Sequence, residues 1–158
     1  MRKDVFAFLV NHFSAYRIEQ SKNETLAEIV NPLGGENIKV EYVPDDEFTP
    51  YIVYFAFQHC HMNDEEDIIE YISNVIDGKI FSIEFFKNGA RCFGGDITAE
   101  EIKGLSYEAL EQYSGYYGSR KLKDLADSFK LRGWNPKDNF DAVFMIGDNG
   151  FVEIIRQD

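Results

Sequence analysis

A chain of 158 residues that is 44% apolar can bury a core without a metal or disulfide staple, and its two cysteines make no disulfide framework. Its net charge of −12 opposes binding to nucleic acid and anionic lipid, and no apolar run approaches the ~18 residues of a membrane span. The charge is uneven: residues 41 to 101 hold fourteen acids and only Lys79, Lys87 and Arg91, so this segment carries −11 of the total. Such a field attracts cations and basic surfaces.

The first predicted element is an amphipathic helix over Arg2–Phe13, with Val5, Phe6, Leu9, Val10 and Phe13 on one side. Its apolar stretch is too short for a signal peptide, so a cytoplasmic chain with free thiols is expected. Tyr16–Gln20 and Leu26–Asn31 read as strands, and Pro32–Gly35 as a turn. Asn37–Val43 alternates as a half-buried strand, and Pro44–Pro50 is an exposed acidic loop. Tyr51–Phe57 is apolar throughout, which predicts a central strand buried on both faces.

A helix follows, with Asn63 as N-cap, Glu66 completing a capping box, and Ile68, Ile69, Ile72, Val75 and Ile76 as its apolar face. Gly78 ends it. Ile80–Phe86 and Ala90–Gly94 flank Asn88-Gly89, a hairpin signal because both turn residues need positive φ. Thr98 and Glu101 form a second capping box for a helix to Lys103, and Ser106 caps another to about Tyr113. Gly115–Gly118 breaks it, and Arg120–Asp127 is helical or irregular. Phe129–Gly133 is a strand and Asn135–Asn139 a loop, before a closing hairpin of Phe140–Ile146 and Phe151–Arg156. With no regular β-α-β alternation, the expected fold is a single α+β domain over 1–158, a largely antiparallel sheet with two or three helices packed on one face.

His59-Cys60-His61 is the one local constellation of chemical interest. At strand spacing the two imidazoles share a face and suit a metal, with Asp64 or Glu65 as third ligand. The plainer reading is a pair of half-exposed residues at the end of a buried strand. Cys60 and Cys92 are candidate nucleophiles only in an electropositive setting, which this segment lacks. Gly94-Gly95 lacks the strand-to-helix pattern of a nucleotide site, and the acidic runs lack the spacing of a calcium loop. Arg120, Lys121, Lys123, Lys130, Arg132 and Lys137, with Tyr116, Tyr117 and Trp134 nearby, form a basic pole. It suits the acidic pole of a second copy better than RNA.

Tyr51–Gly95, with its QHCHMNDEEDIIEYI and FFKNGARCFGG segments, resembles small acidic bacterial immunity-type proteins of polymorphic toxin systems. That resemblance implies a stoichiometric inhibitor of a toxin, often acidic against a basic nuclease. The leading expectation is therefore a non-enzymatic binding protein without a cofactor, taking a basic protein partner. Asp45, Asp46, Glu47, Asp64 and Glu65 would steer the encounter, and Phe48 and Tyr51 would anchor it as exposed rings. The alternatives are a metal-dependent enzyme using His59 and His61, and a self-associating structural or regulatory module, a homodimer included.

Overall fold

A computed structural model describes residues 4–22 and 24–158, except for the side chain of Tyr116. The Arg2 end of the first predicted helix and the ring of Tyr116 lie outside the described residues. The antiparallel α+β class is borne out, but the strands divide into two five-stranded sheets.

Helix α1 (Val5–His12) opens the first half. Five strands follow: β1 (Ile18–Gln20), β2 (Leu26–Ile29), β3 (Ile38–Tyr42), β4 (Tyr51–Phe55) and β5 (Gln58–Met62). They pair in chain order as an antiparallel meander. Asp4 caps α1 through Ala7 N–H, and the helix buries Val5 and Leu9 against the inward residues of the strands. Helix α2 (Glu65–Ile76) buries Ile68, Tyr71, Ile72 and Val75 in the same core. Asp64, not Asn63, is its N-cap, accepting from Asp67 N–H. The strand predicted over Tyr51–Phe57 ends at Phe55, because Ala56 turns the chain at φ +50 and Gln58–Met62 returns as the edge strand. It is buried on one face, with Ile52 and Tyr54 half-buried on the other.

The second sheet has the order β10-β9-β8-β6-β7. Its strands are β6 (Ile80–Lys87), β7 (Ala90–Thr98), β8 (Ser128–Arg132), β9 (Phe140–Ile146) and β10 (Val152–Gln157). Asn88 and Gly89 both take positive φ at the β6–β7 turn, and Gly78 does so after α2. Helices α3 (Ala99–Lys103), α4 (Tyr107–Leu110) and α5 (Leu122–Leu125), with a 3-10 segment over Glu111–Tyr117, join the inner face of this sheet. Thr98 and Glu101 make the expected capping box. The core is a ring cluster: Phe85 stacks on Phe93 at 5.0 Å, and Phe129 and Phe144 lie 5.8 Å apart. Each such ring contributes about 1.5–3 kcal/mol by burial.

Two features join the halves. Trp134, just after β8, is buried in the first core, and its carbonyl accepts from Asn31 Nδ2 at 2.7 Å. The β4–β5 turn sits on the outer face of the second sheet. There Gln58 Nε2 donates to Ile83 O at 3.1 Å and to Glu84 Oε2 at 2.9 Å. Glu84 has no exposed surface, and Arg91 Nε donates to its Oε1 while Arg91 Nη2 donates to Phe57 O at 2.6 Å. A buried carboxylate is tolerated because its oxygens are taken up by these donors.

Candidate functional site

The strand register decides which acids meet. Tyr42 pairs with Tyr51, and Tyr51 with Met62, so the β3–β4 loop and the start of α2 leave the same end of the first sheet. Asp45, Asp46 and Glu47 of the loop therefore share that end with Asp64, Glu65, Glu66 and Asp67 of the helix start. His61, at the end of β5, is close enough to favour the charged form of Asp46. The acids of the helix start also suit the positive end of the helix dipole.

The loop is pinned from within. Asp46 Oδ1 accepts from Phe48 N–H at 3.1 Å and Thr49 N–H at 2.9 Å, and Oδ2 accepts from Thr49 Oγ1 at 2.8 Å. Val43 N–H closes its base onto Pro50 O at 2.7 Å. Phe48 stands at its tip, 85% exposed. Tyr51 does not join it: the ring is 3% exposed and packs 5.5 Å from Tyr42 beneath the loop. As the inward residue of β4, Tyr51 belongs to the core and is no surface anchor.

The Thr49 amide, aided by the Thr49 hydroxyl, holds the Asp46 carboxyl below its ordinary value of 3.8. A carboxyl depressed in the folded chain adds order above its unfolded value, and that order is lost as pH falls through the lower folded value. The loop should accordingly hold its shape down to about pH 4 and loosen below it. Amide exchange at Phe48 and Thr49 should rise there, and Asp46→Ala should show the same rise at neutral pH. Protection unchanged in that variant would count against the pinning.

Apart from Glu70, one turn further along α2, the other acids of the 41–101 segment do not join this end. Glu84 is interior. Glu41 accepts from Tyr54 Oη at 2.7 Å; burial first, and this bond second, push the Tyr54 phenol up to about 12. Asp77 and Glu100 pair locally with Lys79 and Lys103. Asp77 lies at the far end of α2, about 18 Å from its start. The field expected along the whole segment is thus reduced to those seven acids, and Glu70 behind them, at one end of one sheet. None of the ion pairs between described residues joins them to the predicted basic pole, which is itself divided. Lys130 and Arg132 lie on the outer face of β8 beside Asp141, whereas Lys121 precedes α5 and Lys123 lies within it.

His59 and His61 do share a face, with ring centroids 5.5 Å apart, but no group of three or more His, Cys, Asp or Glu side chains among the described residues is arranged to hold a metal. Cys60 points the other way, its Sγ 3.5 Å from Asp96 Oδ2, while Tyr71 Oη donates to Asp96 Oδ1 at 3.0 Å. Burial, and then the Asp96 charge, push the Cys60 thiol up to about 11, the reverse of an activated nucleophile. Asp96 lies at the surface with its carboxylate turned against these two groups, and their desolvation raises it as well. Iodoacetamide at pH 8 should label exposed Cys92 and spare Cys60, giving one adduct by intact mass. Asp96→Asn should speed labelling of Cys60, and equal rates at both thiols in the parent protein would refute this arrangement.

Sequence reasoning missed the Glu84–Arg91–Gln58 joint because it counted Glu84 as surface charge. The Asn88-Gly89 turn by itself would set Phe93 opposite Glu84; a register shift between Phe85 and Phe86 brings Gly94 there instead, and no residue in the sequence announces it. No protein-family model matches the chain, and no curated protein or solved structure matches it significantly. No helix among the described residues is long and apolar enough to cross a membrane.

Proposed function

We propose that the chain is a non-enzymatic, cytoplasmic acidic binding protein of immunity or antitoxin type, which covers a basic partner such as a toxin domain. One observation carries the reading. The register of β3, β4 and β5 gathers Asp45, Asp46, Glu47 and the Asp64–Asp67 run around a pinned loop that displays Phe48. The carboxylates steer and orient the encounter. Phe48 supplies the apolar anchor, since binding hot spots are rings surrounded by polar groups. The Asp46 turn lowers the ordering cost on binding by fixing the loop beforehand. The metal-dependent alternative lacks a third donor among the described residues and is not carried forward.

The test is calorimetric titration with the basic domain encoded beside this gene. Phe48→Ala should weaken binding by about thirtyfold, the scale of a single hot spot. Asp45→Lys with Glu47→Lys should slow association and flatten its salt dependence. Affinity unmoved by all three substitutions would end the proposal.

A further inference from the structure

We propose that β10 is a self-pairing edge: a second copy of this chain adds its own β10 antiparallel to it, about a two-fold axis at Ile154, and joins the two second sheets into one. Strand β10 ends the sheet order, with β9 on one side and no strand on the other. Its hydrogen-bonding phase follows from two bonds at opposite sides of β9. Gly147 N–H donates to Phe151 O, so the odd-numbered residues of β10 are those that bond to β9. Phe144 N–H donates to Asp127 O, which gives the even-numbered residues of β9 to β8, as the same phase requires. The N–H and C=O of Val152, Ile154 and Arg156 therefore point out of the sheet edge. No described residue takes them up.

These three residues are spaced evenly about Ile154. A two-fold axis there sets Ile154 opposite Ile154 of the second copy, and Val152 opposite Arg156. All the outward groups then find partners, as six backbone hydrogen bonds, and each residue stays on its own face of the sheet. Val152–Gln157 holds neither lysine nor proline, and Glu153 and Arg156 are its only charged side chains. Apolar side chains are uncovered beside it: Phe151 is 57% exposed and Ile155 36%.

A local charge contact favours a second copy over an arbitrary strand, against the net repulsion of two acidic chains. Carried past the ends of the strand, the same register brings Asp158 of each copy towards the turn at Gly150 of the other. Gly150 lines a groove with Phe151, Val152, Lys121 and Lys123. Among the described residues neither lysine forms an ion pair. Glu108 and Glu111 also line this groove, but Glu111 is engaged by Ser114 Oγ and Leu122 N–H, both at 3.3 Å. The two lysines are the cations that this groove offers an incoming carboxylate, with Glu108 beside them.

Sedimentation of the full chain from about 1 µM to about 1 mM, at low and high salt, tests this. A dimer is expected, and salt should strengthen it by screening two copies of −12 charge. Ile154→Pro removes only an outward N–H, which an edge strand tolerates, and should abolish the dimer. Should that variant misfold by circular dichroism, Lys121→Glu with Lys123→Glu gives the independent reading: about tenfold weaker association, the equivalent of one good polar contact, restored by Asp158→Lys. A monomer at every concentration overturns the proposal and leaves the edge to a strand of another protein. So does a dimer indifferent to both sets of variants.

Discussion

Arg91→Ala is expected to lower the unfolding free energy by about 2–4 kcal/mol, somewhat below the ~3–5 kcal/mol for breaking a fully buried pair. The reason is asymmetry. The Arg91 side chain is 58% exposed, whereas Glu84 has no contact with solvent. Removing the guanidinium strips Glu84 Oε1 of its donor and leaves the carboxylate with Gln58 Nε2 alone. It also frees Phe57 O, so the β4–β5 turn is left to the Gln58 and Phe57 N–H bonds for its hold on the second sheet. Partial exposure of Arg91 lets water replace some of this, which keeps the figure below the fully buried case. Replacing both groups, as Glu84→Met with Arg91→Met, should recover most of the loss because no charge is then left buried. Urea unfolding of the three variants reads the cycle. A loss under about 0.5 kcal/mol for Arg91→Ala would mean that water reaches Glu84 and the joint is misdescribed.

Gly94→Ala should be as damaging, by about 3 kcal/mol or more, through overpacking at the same joint. A Cβ at Gly94 would sit 2.3 Å from both Glu84 Oε2 and Ile83 O, and 2.6 Å from Gln58 Nε2. Glu84 is itself fixed by Arg91, and the Ile83 oxygen belongs to the backbone of β6, so neither can yield cheaply. Gly104→Ala is the matched control. Nothing lies within 4 Å of its Cβ position and its φ is −99, so a change within about 0.5 kcal/mol is expected. Thermal unfolding of the pair compares them directly, and equal melting temperatures would contradict the close approach of the two halves.

The residues made some parts of this structure legible and hid others. Asn88-Gly89, Gly78 and the Thr98–Glu101 box act over three or four residues, and each acts as read because local sterics and capping bonds decide the outcome. The return of the chain as edge strand β5 depended on one backbone conformation, the positive φ of Ala56. Nothing about alanine announces it, so Tyr51–Phe57 and the residues after it read as one element. Tyr51 was misplaced for a related reason: a ring beside an acidic loop looks exposed until the register turns it inward. The charge field failed through tertiary structure. Carboxylates of the same acidic segment, such as Glu84 and Asp96, were drawn into polar contacts with elements far apart in sequence. What survives at the acidic end was set by strand pairing, which charge counting does not see.

The account rests on the acidic end of the first sheet being the surface that meets a basic protein. Hydrogen exchange of the chain mixed with each protein encoded beside its gene tests it most directly. Protection should concentrate in residues 43–50 and 61–67 and should weaken as salt is raised. Protection confined to the outer face of β8 and β9, or an interface indifferent to salt, would contradict it.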